Sequence, residues 1–169
     1  MDRKEFTKRC LAGALIELLK DKEYNDISIN DITTKSGFSR MSYYRNFDSI
    51  DAILDYYLDV STSEYMVATH LKFDEMPLEA YMIHLFEFLG SEQCRFTASL
   101  LMKRGLFDRV SREFDKNFNI QKNKIRSYYY SFIAGGLFNA YKLWVINDYA
   151  EKPENIVRSF LEFTRYNKD

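Results

Sequence analysis

Between Lys35 and Phe47 the chain carries three basic side chains, Lys35, Arg40 and Arg45, and no acidic one. The same stretch holds Ser39, Ser42, Tyr44 and Asn46, all hydrogen-bond donors, and the apolar Met41. Cations and neutral donors without a carboxylate suit a nucleic acid. Phosphate contacts set position, Arg reads guanine O6/N7, and an apolar group meets a thymine methyl. In a helix, at about 100° per residue, Arg40, Met41, Tyr44 and Arg45 share one arc. Tyr43 and Phe47 fall on the other side with Phe38 and suit a core. A solvated face in an ordinary bundle is the competing reading, and residue types alone leave the two about even, since short helix-turn-helix units also occur in proteins that bind no DNA.

Local signals place those side chains. Ser28 is a natural N-cap, and Asp31 three residues later completes an approximate capping box. Ile29 and Ile32 give the following short helix an apolar side. Gly37 ends it, because glycine adopts the left-handed conformation of a helix terminus without a Cβ penalty. Phe38 is the apolar turn residue, and Ser39 caps a second helix over 40–46 that is too short to stand alone. Two short helices with a tight turn make a helix-turn-helix, whose second helix enters the major groove.

The stretch resembles the DNA-binding domain of the TetR family of bacterial one-component repressors. Ile29, Ile32, Gly37, Phe38, Ser39, Ser42, Tyr43, Tyr44, Phe47, Ser49, Asp51 and Ile53 match that family's pattern in order and spacing. The resemblance runs to Leu54, counting the preceding helix. It implies a DNA-binding set of Ser28, Lys35, Ser39, Arg40, Met41, Ser42, Tyr44, Arg45 and Asn46, with Arg40 and Met41 at bases and the others at phosphates. Ile50 departs from the pattern: the family usually has a phosphate-contacting lysine there. Asn46 stands where histidine is frequent, and its amide can still donate.

Composition agrees with a helical protein. The 169 residues include only 6 Gly and 2 Pro, so few breakers interrupt helical periods, and length suffices for a real core. The formal net charge of −1 predicts modest non-specific DNA binding, although Arg3, Lys4, Lys8 and Arg9 make the amino end mildly basic. Cys10 and Cys94 have no metal or redox spacing, and Cys10 reads as a small buried thiol. No apolar run has signal-peptide or membrane-span character, which points to the cytoplasm. His70 and His84 have no ligand-spaced partners, and no nucleophile elbow, phosphate loop or dinucleotide fingerprint is present. The expectation is a non-enzyme without metal or cofactor.

The expected fold class is all-α: a three-helix DNA-binding domain over 1–54, then a helical regulatory and dimerisation domain over 55–169. The first helix, Arg3 to Asp21, sets Phe6, Cys10, Ala14 and Leu18 at i+4 steps, with Leu11 and Leu15 beside them. A polar loop follows, and Asp48 caps a fourth helix. Pro77 suits the start of the next, which Gly90 and Ser91 break. Another surrounds Cys94 to Met102, one long helix covers Ile120 to Tyr149, and Pro153 opens the last.

Two glycines inside that long helix cost about 1 kcal/mol each relative to alanine, so close approach of another backbone is the simplest reason for them. Phe132, Gly135, Gly136, Leu137 and Trp144 resemble the penultimate helix of a TetR-like group that includes dihydroxyacetone kinase regulators. That resemblance implies dimerisation through the last two helices, with Gly135, Gly136, Phe138, Phe160 and Phe163 at the interface. An intramolecular packing notch is the other reading. The middle helices are rich in aromatic and Met side chains, mostly core by their spacing. Tyr65, Tyr81, Phe88, Met102 and Trp144 are the candidates for a pocket holding a small apolar or aromatic ligand. Together these readings describe a dimeric repressor on a palindromic DNA operator, released by such a ligand. The alternative is a helical interaction protein with a degenerate helix-turn-helix, motivated by Ile50 and the low charge.

Overall fold

The computed structural model describes residues 2–70, 72, 75–117 and 127–165. All regular structure among them is helical, so the fold class is all-α. The α-helices are α1 (Arg3–Leu19), α2 (Ile29–Ser36), α3 (Arg40–Tyr44), α4 (Ile50–Thr69), α5 (Leu78–Leu89), α6 (Glu92–Lys103), α7 (Ser111–Asn117), α8 (Ser127–Ile146) and α9 (Pro153–Arg165). Among the described residues no helix is long and apolar enough to cross a membrane.

The chain forms two compact units: Met1–Ser63 with Leu100–Leu106, and Glu64–Ser99 with Phe107–Asp169. In the first, α1 packs on α2 and α2 on α3. Leu11, Leu15, Leu19, Ile32, Tyr43, Ile53 and Leu54 are essentially buried. The buried side of α1 therefore includes the expected Leu11, Ala14 and Leu15 together with Thr7, and leaves out Phe6 and Cys10. Phe6 is 49% exposed, its ring meeting that of Phe38 at 6.4 Å between centroids, and Cys10 is half-buried. An i+4 series at about 100° per residue drifts across the helix surface, so a row chosen from its first member can miss the core.

Ends of helices follow local chemistry. Asp2 caps α1 by accepting from the Glu5 amide at 2.7 Å. Residues Tyr24–Asp26, expected as loop, form one 3₁₀ turn, and the Tyr24 hydroxyl donates to Asp51 at 2.6 Å. Ser49, not Asp48, caps α4, its Oγ accepting from the Ala52 amide at 3.0 Å. Both residue types serve as caps, and a one-residue shift of helix start decides between them. Arg104, its side chain almost wholly buried, donates to the carbonyls of Leu19 and Lys20 and pairs with Glu23. It thereby satisfies carbonyls that the end of α1 leaves open.

In the second unit, α5 packs on α9 and α7 on α8. Trp144 of α8 is pinned on several sides. Its Nε1 donates to the Glu151 carbonyl at 2.7 Å, and its ring meets the edges of Phe86 and Tyr149. A Cβ at Gly90 would stand 2.9 Å from that ring, so glycine at this helix end also makes room for the indole. Within the helix expected over 120–149, residues 120–126 lie outside the described residues. The helix is Ser127–Ile146, and the described residues 147–149, expected as helix, form a turn with Asp148 and Tyr149 at positive φ.

Candidate nucleic-acid interface

The turn that carries α3 is built from side chain to backbone. Ser28 Oγ accepts from the Asp31 amide at 3.2 Å, while Asp31 Oδ2 accepts from the Ser28 amide at 2.9 Å and its hydroxyl at 2.7 Å. This reciprocal cap begins α2. The Lys22 ammonium, 2.8 Å from Asp31 Oδ1, and the Ser28 hydrogen bonds hold the Asp31 carboxyl well below the usual carboxylate range. Gly37 closes α2 at φ 74°, and the Phe38 amide reaches back to the Thr33 carbonyl at 3.2 Å. That six-to-one hydrogen bond around a left-handed glycine turns the chain sharply. Ser39 then caps α3, accepting from the Ser42 amide at 3.1 Å.

Placed this way, α3 buries Tyr43, with Phe47 buried just beyond it, and leaves Arg40, Met41, Tyr44 and Arg45 exposed. Met41 is 61% and Tyr44 60% exposed, an unusual fraction for large side chains on so short a helix. Burying such groups ordinarily contributes about 1.5–3 kcal/mol each, so this surface is held open by the packing of Tyr43 on the other side. Arg40 Nη2 is 3.3 Å from Asn30 Oδ1, which steadies the guanidinium over α2. Lys35 is exposed in the last turn of α2.

The hydroxyls expected at phosphates are partly engaged. Ser28 donates to Asp31, so its proton is already placed. Ser39 and Ser42 share one hydrogen bond at 3.0 Å, which leaves one of the two protons for an outside acceptor. Asn46 donates to the Ser42 carbonyl at 2.7 Å with one amide hydrogen, and its buried Oδ1 has no hydrogen-bond partner among the described residues. Ile50 is the first residue of α4 and half-buried.

Sequence reasoning did not place Arg3 and Lys4 here. They line, with Thr7, Phe38, Ser42, Arg45 and Asn46, an open groove of about 550 Å³ on the flank of α3. The basic amino end was a signal, but its distance from Arg45 along the chain hid the juxtaposition.

The pocket candidates divide. Tyr65 and Phe88 come together, stacked at 3.9 Å between centroids, with the Tyr65 hydroxyl donating to the His84 carbonyl. Tyr81 and Trp144 are buried core residues, and Met102 belongs to the first unit while the other four belong to the second. Burial pushes the Tyr81 hydroxyl well above its ordinary range.

Three of the interface candidates, Gly136, Phe160 and Phe138, are engaged within the chain. A Cβ at Gly136 would lie 3.2 Å from the Phe160 ring, so Gly136 is an intramolecular notch for α9. Phe138 stacks on Phe107 at 5.7 Å and meets Phe114 edge-on at 5.8 Å. Gly135 has open space at its Cβ position, and the side chain of Phe163 lies outside the described residues. Tyr128, Phe132, Gly135, Asn139, Leu143 and Ile146 fall within one arc of α8 at about 100° per residue. The four large apolar members of that row are exposed, Tyr128 at 83%. These four, rather than Phe138, form the open apolar side of the helix.

The described residues contain no group of acidic, His and Cys side chains able to hold a metal ion. No family model matches the chain, and no curated protein matches it.

Proposed function

We propose that the chain is a TetR-like transcriptional regulator that binds a palindromic DNA operator as a homodimer and represses. One observation carries the reading: α3 exposes Arg40, Met41, Tyr44 and Arg45 on one arc with no carboxylate among them. An ordinary solvated helix face mixes charges of both signs, whereas here the thioether and phenol are flanked by cations alone. The motif resemblance over Ile29 to Ile53 supports the same reading. In it, Arg40 and Met41 face base edges, while Lys35, Tyr44 and Arg45 with the Ser39–Ser42 pair face phosphates.

The exposed row on α8 supports the dimer. Apolar side chains repeated along one helix suit burial against a second copy, and a stable obligate interface buries on the order of 2,000 Å² or more. Two copies of α3 then stand about 34–36 Å apart, one turn of DNA. A small apolar or aromatic ligand in the second unit, beside the Tyr65–Phe88 stack, favours a different spacing and lowers operator affinity by differential binding.

Ile50 favours a second reading, a helical interaction protein without DNA binding, because it puts an alkyl group where a phosphate-contacting cation is expected. Titration of the full chain onto a palindromic fragment from its own upstream region separates the two. The first reading expects binding that weakens steeply with salt and exceeds binding to a scrambled fragment. Equal, salt-insensitive or absent binding to both fragments overturns it.

A further inference from the structure

The groove beside α3 brings together cations from two helices that are far apart in sequence. Arg3 and Lys4 come from the first turn of α1, and Arg45 from the end of α3. Ser42 and Asn46 complete the polar lining, and no lining residue is acidic.

The carboxylates nearest Arg3 and Lys4 in sequence are occupied. Asp2 accepts from the Glu5 amide at 2.7 Å. Glu5 accepts from the Tyr56 hydroxyl at 2.7 Å and from Arg9 Nε at 2.9 Å. The Tyr56 hydrogen bond is the main cause holding the Glu5 carboxyl below its ordinary range. Among the described residues, Arg3, Lys4 and Arg45 have no carboxylate partner. Cations in the first turn of a helix also oppose its dipole, a placement that disfavours the helix by itself. Their position therefore serves something other than α1.

We propose that this groove seats backbone phosphates of the same duplex on which α3 docks, with Arg3 and Lys4 each neutralising one phosphate beyond those the helix-turn-helix contacts. The inference rests on the DNA-binding reading above. Its occupant follows from continuity. Arg45 belongs both to the exposed arc of α3 and to the groove lining, and Ser42 and Asn46 follow next around the helix. A duplex laid on the arc carries its flanking strand along this side. The contact supplies backbone attraction from α1, whatever Ile50 withholds at the start of α4.

The test uses the full chain and a labelled duplex of random sequence, because phosphate contacts are independent of base identity. Affinity is measured by fluorescence anisotropy across a salt series. Each phosphate neutralised contributes about 0.9 to the logarithmic salt slope. Arg3→Ala with Lys4→Ala is expected to lower the slope by about two. Over a fourfold rise in salt, the advantage of the unmodified chain then shrinks by about tenfold. Arg3→Lys with Lys4→Arg is expected to keep the slope, and Lys103→Ala with Lys152→Ala, a change of equal charge elsewhere, is expected to keep it too. Circular dichroism checks that each variant is folded.

An unchanged slope in the folded alanine pair overturns the groove and leaves the DNA-binding reading standing. An equal fall in the control pair also overturns it, since net charge alone then explains the loss. If the unmodified chain shows no salt-dependent binding to any duplex, both readings fail together.

Discussion

Helices α3 and α8 both leave large side chains in solvent, yet the two surfaces differ in chemistry. On α3 the exposed apolar groups, Met41 and Tyr44, are interleaved with Arg40 and Arg45. On α8, Tyr128, Phe132, Leu143 and Ile146 form a row with the neutral Gly135 and Asn139 between them. A cationic face can stay hydrated until a polyanion displaces its counterions, and its affinity then follows salt. An uncharged apolar row has only burial to gain, so it suits another protein surface, and salt matters little to it. Exposure alone says that a face is open. The charges between the apolar groups say to what.

The strongest challenge to this contrast is Phe132→Glu with Leu143→Glu. It places a carboxylate at two points of the α8 row, where each substitution at a well-packed interface costs about 2–4 kcal/mol or more. Sedimentation velocity at micromolar protein should show a monomer with unchanged helix content. A variant that stays dimeric removes α8 from the interface.

Arg40→Ala comes next, expected to cost about 1–3 kcal/mol on the operator and to relax its sequence preference. Tyr44→Phe should weaken all duplexes alike, because it removes one positioning hydroxyl. Anisotropy against an operator and a scrambled control reads both. Equal specificity in Arg40→Ala and the unmodified chain would mean that another element reads bases.

Gly135→Ala sharpens the comparison on the α8 side. Among the described residues nothing lies within 4 Å of the added methyl, so the helix should gain about 1 kcal/mol from propensity. A second copy packed there turns the same methyl into an obstacle, and the expected result is a weaker dimer. Higher melting temperature with undiminished dimerisation places the contact elsewhere on the row.

The smallest effect concerns the cap that carries the cationic face. The Asp31 carboxyl titrates below its ordinary value of 3.8 in the folded chain because of Lys22 and Ser28. A depressed folded value stabilises above the unfolded one, and that contribution is lost as pH falls through the folded value. Melting temperatures followed down from about pH 6 should therefore decline more steeply below about pH 4 in the unmodified chain than in Asp31→Asn. Parallel curves would show that the cap contributes no pH dependence.

The all-α class and the turn before α3 were legible from residue types because their rules act over a few residues. Ser28 and Asp31 are three apart, Gly37 needs only its own φ, and Ser39 reaches the third residue after it. Few breakers and helical spacing of apolar groups sufficed for the class. Where two good caps stood side by side, at Asp48 and Ser49, the local rule could not choose between them.

Partnership between distant segments needed three dimensions. Gly136 and Gly135 are neighbours of the same type, yet one receives the Phe160 ring and the other faces open space. Phe138 reads as an open aromatic until Phe107 and Phe114 cover it, while Phe132 remains open. Arg104 stands 85 residues from Leu19 in sequence, and folding carries it to the end of α1. Arg3, Lys4 and Arg45 become one groove only when α1 and α3 are packed. Caps and periods are short-range preferences written residue by residue. Burial is decided by which helix arrives on a given face, and that choice belongs to the whole core.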